Sequence, residues 1–235
     1  MITTNDGNDR YTALISCYGN TRSRVLTGAV QLHLDRLGAT NVHVRTGGLD
    51  STVQEIIERG RKEGKDLSRF SDDAVRDAAD VDPSYGERIR DMTRRAVTVD
   101  DVNAADAVLV ADKNLGDIFA RKFSGIEGKT KTFLQYAGLK HPTYGNDLDD
   151  VSPRGSLAVI NKRFVSPYSI DASKNESQIA TGVTSGELQY ISLNGTSYRV
   201  DSRDGKKAES RDLYYLGGVI AAKLVSDARK AKRND

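Results

Sequence analysis

An α/β fold with helices on both faces of a central parallel sheet is predicted by three observations. Ala13–Arg24 compresses a short apolar run, a Gly-containing polar turn and a helix start into one stretch. Ala107–Ala111 is a second short apolar run, entered through Asp106 and left through Asp112. Between and after these, apolar residues recur at helical spacing and the links are short, the pattern of strands joined in parallel through helices.

The elements follow in order. Residues 1–10 are polar, and Thr12–Ser16 reads as a buried first strand. Val25, Leu26, Ala29, Val30, Leu32 and Leu37 mark the first helix, which Gly38 closes, and Asn41–Arg45 reads as the second strand. Residues 51–103 are charged and helical in rhythm (Val53, Ile56, Ile57; Ala74, Val75, Ala78; Ile89, Met92, Val97), with Gly60 and Gly64 as stops and Asp82–Gly86 as a turn. Ala107–Ala111 is the third strand and Lys131–Tyr136 the fourth, so the sheet has four strands. Within 151–209, Ser156–Ile160, Leu188–Leu193 and Ser197–Val200 read as strands, with Asn194-Gly195 a hairpin turn. Leu213, Leu216, Val219, Ile220 and Leu224 form the apolar stripe of a last helix. The domain reading is an α/β domain over 11–150 plus 210–235, interrupted by an inserted β-hairpin subdomain over 151–209.

Composition narrows the function classes. At 235 residues and 37% hydrophobic content the chain supports a sizeable core. Lys+Arg 35 against Asp+Glu 33 leaves a formal charge of +2, which calls for neither nucleic acid nor an anionic membrane as partner. One cysteine excludes a disulfide framework and suits a reducing compartment. With no apolar run near the ~18 residues of a membrane span and no signal-peptide core, the expectation is a cytoplasmic protein. His43 alternates with apolar neighbours and has no metal-like spacing around it, so it reads as an ordinary strand residue.

The single cysteine, Cys17, falls in the turn between the first strand and the first helix. Backbone N–H groups and the positive end of the helix dipole converge there, which suits an anion. The same field, with Arg22 and Arg24 beside it, favours the nucleophilic thiolate. Arg22 could clamp two phosphate oxygens through its planar fork. A lone cysteine after a strand also reads as an inert core residue, so the residues alone leave both readings open.

Cys17-Tyr18-Gly19-Asn20-Thr21-Arg22-Ser23 resembles the phosphate loop of the low-molecular-weight protein tyrosine phosphatases. That family places five residues between Cys and Arg; here four separate Cys17 from Arg22 and six separate it from Arg24. Asp112, Asn114 and Asp117-Ile118 are similar to the family's third-strand signature, again one residue short. His141-Pro142-Thr143-Tyr144-Gly145-Asn146-Asp147 resembles its acid loop, with His141 where the family's general-acid aspartate stands.

The resemblance implies a three-layer sandwich around a four-stranded parallel sheet, with 151–209 an inserted β-rich segment. It implies that Cys17 attacks phosphorus, that Arg22 and the loop residues Tyr18, Gly19, Asn20 and Thr21 bind the phosphate oxygens, and that Ser23 stabilises the thiolate. His141 would donate the leaving-group proton, with Asp112 and Asp147 as acid or support and Tyr144 flanking the substrate together with Tyr18. No cofactor or metal is required, and the partner is a phosphorylated protein or small phosphomonoester. The alternative is a catalytically impaired phosphatase-like protein that binds a phosphorylated ligand or a partner protein. An arsenate reductase that relays through additional cysteines does not fit a chain with one.

Overall fold

Strand β1 (Tyr11–Ser16) divides its side chains by parity: Ala13 and Ile15 enter one apolar cluster and Leu14 the opposite one, all fully buried. A strand apolar on both faces must be covered on both faces, the condition of a parallel sheet. The computed structural model describes residues 10–126, 128–138, 190–193, 196–199 and 205–234. In it β1 pairs in parallel with β2 (Val42–Gly47) on one side and β3 (Ala107–Val110) on the other, and β3 pairs in parallel with β4 (Thr130–Thr132). The resulting order is β2-β1-β3-β4.

The two clusters make the sandwich three layers deep. On one face, α1 (Arg22–Arg36), α3 (Asp72–Val81), α4 (Pro83–Arg90), α7 (Phe133–Ala137) and the long helix α8 (Gly205–Asn234) pack Leu26, Val30, Tyr85, Ile89, Phe133, Leu216 and Leu224 over Ala13, Ile15 and Leu109. On the other, α5 (Val99–Asn103) and α6 (Lys113–Lys122) bring Val102, Leu115 and Phe119 onto Leu14, Val108 and Val110. Each large aliphatic or aromatic side chain buried this way contributes roughly 1.5–3 kcal/mol. Helices α1 and α8 meet almost backbone to backbone, since a Cβ on Gly217 would lie 2.5 Å from that of Ala29 and 3.0 Å from the Val30 nitrogen.

Several local readings hold and others shift. Gly38 follows the last turn of α1 in the left-handed region, φ +64°, where glycine is unstrained, and Ala39 N–H returns to the Leu34 carbonyl. Gly60 does not stop α2 (Asp50–Lys62); it is buried within it, and Gly64, φ +66°, follows the helix instead. Asp82–Gly86 is a helix junction rather than a turn: Asp82 accepts from Ser84 N–H, and Pro83 starts α4, the position at which its missing N–H costs nothing. The expected fourth strand Lys131–Tyr136 is strand only to Thr132. There Thr132 Oγ1 accepts from Gln135 N–H and Gln135 Oε1 accepts from Thr132 N–H, a capping box that turns the chain into α7.

In the region read as inserted, β5 (Tyr190–Leu193) and β6 (Thr196–Arg199) pair antiparallel as a separate two-stranded sheet. The expected strand Ser156–Ile160 lies outside the described residues. Helix α8 begins at Gly205, five residues before the boundary expected at 210. No described helix is long and apolar enough to cross a membrane.

Candidate functional site

Cys17 follows β1 directly and is 3% exposed, continuing the side of the strand that faces α1. The turn after it is closed by Asn20 N–H reaching the Cys17 carbonyl at 3.5 Å, with Asn20 in the left-handed region at φ +55°, a conformation Asn adopts more readily than most residues. Thr21 precedes α1 but its side chain caps nothing in the helix. The cap acceptor is the sulfur: Ser23 N–H donates to Cys17 Sγ at 3.3 Å. Ser23 Oγ lies 3.2 Å from the same sulfur. Asn20 Nδ2 donates to Ser23 Oγ at 3.0 Å, so the hydroxyl bridges Asn20 and the sulfur. The backbone N–H and the hydroxyl of Ser23 thus converge on Sγ.

Asn20 organises this network from a fully buried position. Its Nδ2 also donates to Thr46 Oγ1 at 2.9 Å, and its Oδ1 accepts from Arg95 N–H at 3.1 Å. The loop's carbonyls are held as well. Leu49 N–H donates to Tyr18 O at 2.9 Å, the Arg94 guanidinium to Gly19 O, Arg24 Nε to Asn20 O at 2.7 Å and Val25 N–H to Thr21 O at 3.2 Å. Gly48 lies against the same turn, where a Cβ would come within 2.5 Å of Tyr18 O and 2.7 Å of Asn20 N. Only glycine permits that approach.

Three arginines surround the turn. Arg22 is the first residue of α1 and half-buried. Arg24 is fully buried, donates through Nη1 to the Ser68 and Met92 carbonyls at 2.9 Å each, and lies 4.0 Å from the centre of the Phe70 ring. Burial and the neighbouring Arg94 guanidinium push it down to about 9, against the pull of Cys17, so it stays charged at neutral pH. Arg94 is also shifted down by burial, again opposed by Cys17. Besides Gly19 O, it holds Thr21 Oγ1 at 3.0 Å and, through Nε, Leu67 O at 2.9 Å.

The turn occupies the crevice at the carboxyl ends of β1 and β3, where ligands bind in open α/β sheets. Asp112, just past β3, meets it there. Its Oδ1 accepts from Leu115 N–H at 2.7 Å as the cap of α6 and from Tyr18 Oη at 3.1 Å, and Asn114 Nδ2 donates to Tyr18 Oη at 2.8 Å. Burial, partly offset by Asn114 and reinforced by Asp112, raises the Tyr18 hydroxyl above its ordinary range.

Of the residues expected at the site, Cys17, Tyr18, Gly19, Asn20, Thr21, Arg22, Ser23 and Asp112 come together here. His141, Tyr144 and Asp147 lie outside the described residues. Sequence reasoning missed Thr46, Arg94 and Arg95, which reach the loop from within β2 and from beyond α4. No local signal marks them; only the Arg-Arg pair just before the Thr98 capping box stands out.

No family model matches the sequence, and no curated protein sequence matches it. Solved structures do resemble it. The solution structure of a low molecular weight protein tyrosine phosphatase from Bacillus subtilis has 16% identity and a TM-score of 0.52, covering 92% of this chain and 98% of that one. A mutant of YwlE from Bacillus subtilis gives 16% identity and a TM-score of 0.50, over 91% of this chain and 98% of that one. These likenesses establish the fold.

Proposed function

We propose that this chain, which has the fold of the low molecular weight protein tyrosine phosphatases, is a phosphatase that hydrolyses phosphomonoesters through a cysteinyl-phosphate, with phosphotyrosine the favoured substrate. The observation that carries the reading is the convergence of the Ser23 N–H and hydroxyl on Cys17 Sγ at the start of α1. A buried sulfur hydrogen-bonded at the start of a helix, with the Arg24 and Arg94 guanidinium groups close enough to feel it, suits a nucleophile.

In the proposed reaction Cys17 attacks phosphorus, and the S–P bond forms as the bond to the leaving oxygen breaks. His141 gives that oxygen a proton. Arg22 and the loop amides hold the equatorial oxygens. Water then attacks the phosphocysteine and returns a proton to His141, releasing inorganic phosphate and the thiolate. Tyr18 and Tyr144 flank an aromatic leaving group, and the tyrosine phosphatase named among the similar structures supports the same preference.

The test is hydrolysis of a generic aryl phosphate between about pH 5 and 8 by wild type, Cys17→Ser and His141→Ala. Turnover lost in Cys17→Ser, with a basic limb near the ordinary imidazole value of about 6.5 that His141→Ala removes, is the expected result. Wild-type turnover no higher than that of Cys17→Ser overturns the catalytic reading. The second reading, a catalytically impaired phosphatase-like protein that binds a phosphorylated ligand or a protein partner, is favoured by the four-residue spacing between Cys17 and Arg22 and by the 3% exposure of Cys17.

A further inference from the structure

A peptide unit is planar, with its C=O and the following N–H pointing in opposite directions. The Tyr18, Gly19 and Asn20 carbonyls are taken by Leu49 N–H, the Arg94 guanidinium and Arg24 Nε. The amides of Gly19, Asn20 and Thr21 share those planes and so face away from these donors, that of Asn20 being directed at the Cys17 carbonyl. That is the inner side of the turn, which Asn20 N–H and the Cys17 carbonyl close at 3.5 Å. A set of inward amides is what receives an oxyanion.

We propose that Arg94 and Arg24 are positioning residues for this loop: from outside they hold the Gly19 and Asn20 carbonyls, fixing the shape of a turn whose Gly19 and Thr21 amides face inward as a receptor for a phosphoryl group. The inference rests on the phosphatase reading above and extends it to two residues outside the Cys17–Ser23 motif.

The anchoring is firm. Arg24 is fixed by Ser68 O and Met92 O, and Arg94 by Leu67 O and by its own N–H to Ser68 O at 2.7 Å. Ser68 therefore joins both arginines. Arg94 adds Thr21 Oγ1, so its guanidinium spans the turn from Gly19 to Thr21. A lysine would keep the charge but not this fork. Both cations also lie close enough for the Cys17 sulfur to act on them electrostatically.

The test uses the full chain, whose single cysteine makes alkylation by iodoacetamide report on Cys17 alone. Two quantities are read at pH 7: the alkylation rate without ligand, and the inorganic phosphate concentration that protects. In Arg94→Met the unprotected rate is expected to fall about threefold and protection to weaken about tenfold, the scale of a lost charge-assisted hydrogen bond. Arg94→Lys is expected to recover the rate, a matter of charge, but not the protection, a matter of geometry. That split is one a merely structural residue would not give. It also carries the test on its own should Arg94→Met fail to fold. Wild-type protection in both variants overturns the positioning role. A wild type that phosphate does not protect overturns the phosphate-site reading itself, and an unchanged unprotected rate in Arg94→Met then overturns the arginine inference separately.

Discussion

Replacing Asn20 with alanine removes three hydrogen bonds at once, to Ser23 Oγ, Thr46 Oγ1 and Arg95 N–H, from a side chain with no exposed surface. Each is worth about 1 kcal/mol net. Alanine must in addition hold φ +55°, where an ordinary L-residue loses about 1 kcal/mol that Asn largely avoids. The expected loss is about 4 kcal/mol, a large share of the roughly 5–15 kcal/mol that separates a folded domain from its unfolded chain. In equilibrium urea unfolding, with m about 2–3 kcal/mol/M, that is a midpoint lower by about 1.5 M at unchanged m. Asn20→Gly separates the two contributions. It loses the same bonds but not the φ strain, and recovers about 0.5 kcal/mol relative to alanine once the added freedom of the unfolded glycine is counted. A loss under about 1 kcal/mol for Asn20→Ala would refute the claim that this side chain organises the turn.

Gly48→Ala sets a Cβ against the backbone at Tyr18 O and Asn20 N, where no rotamer change gives relief, so thermal melting should show a loss of about 3 kcal/mol; near-wild-type melting would mean the loop yields. Burial alone would raise the Asp101 carboxyl, but the Arg95 guanidinium and the Thr98 N–H and O–H hold it well below the carboxylate range. A depressed folded value contributes stability above the unfolded value of about 3.9 and loses it as pH falls below that. Asp101→Asn should therefore lower stability at pH 7 by about 2 kcal/mol and flatten the decline below about pH 4. An acid limb as steep as that of wild type would assign the decline to other groups.

What the sequence discloses depends on how local the deciding interaction is. β1 and β3 are legible because each is a short apolar run buried on both faces, and Asp112 reads as a cap because it sits three residues before the amide it takes. The end of β4 was written just as locally, in Thr132 and Gln135, but the apolar and aromatic residues between and after them imitate a strand. The motif Cys17–Ser23 resembles a phosphate loop, yet does not disclose what sets its shape. Thr46, Arg94 and Arg95 reach Asn20, Gly19 and Thr21 only after β2 has paired and the chain has returned past α4. Contacts made across such separations leave no periodicity to read.

The close seat of Gly217 on Ala29 also orders events in time. Helix α1, which carries Ser23 and Arg24, is covered by α4 and by α8, and α8 is synthesised after everything else described. A ribosome adds roughly 5–20 residues per second. For much of its translation, then, the nascent chain holds Leu26, Ala29 and Val30 without the surface they are shaped to meet. The helix that follows Cys17 is completed among the last steps of biosynthesis, so a chain interrupted before Leu213 carries the whole Cys17–Ser23 sequence but not all the packing that supports it.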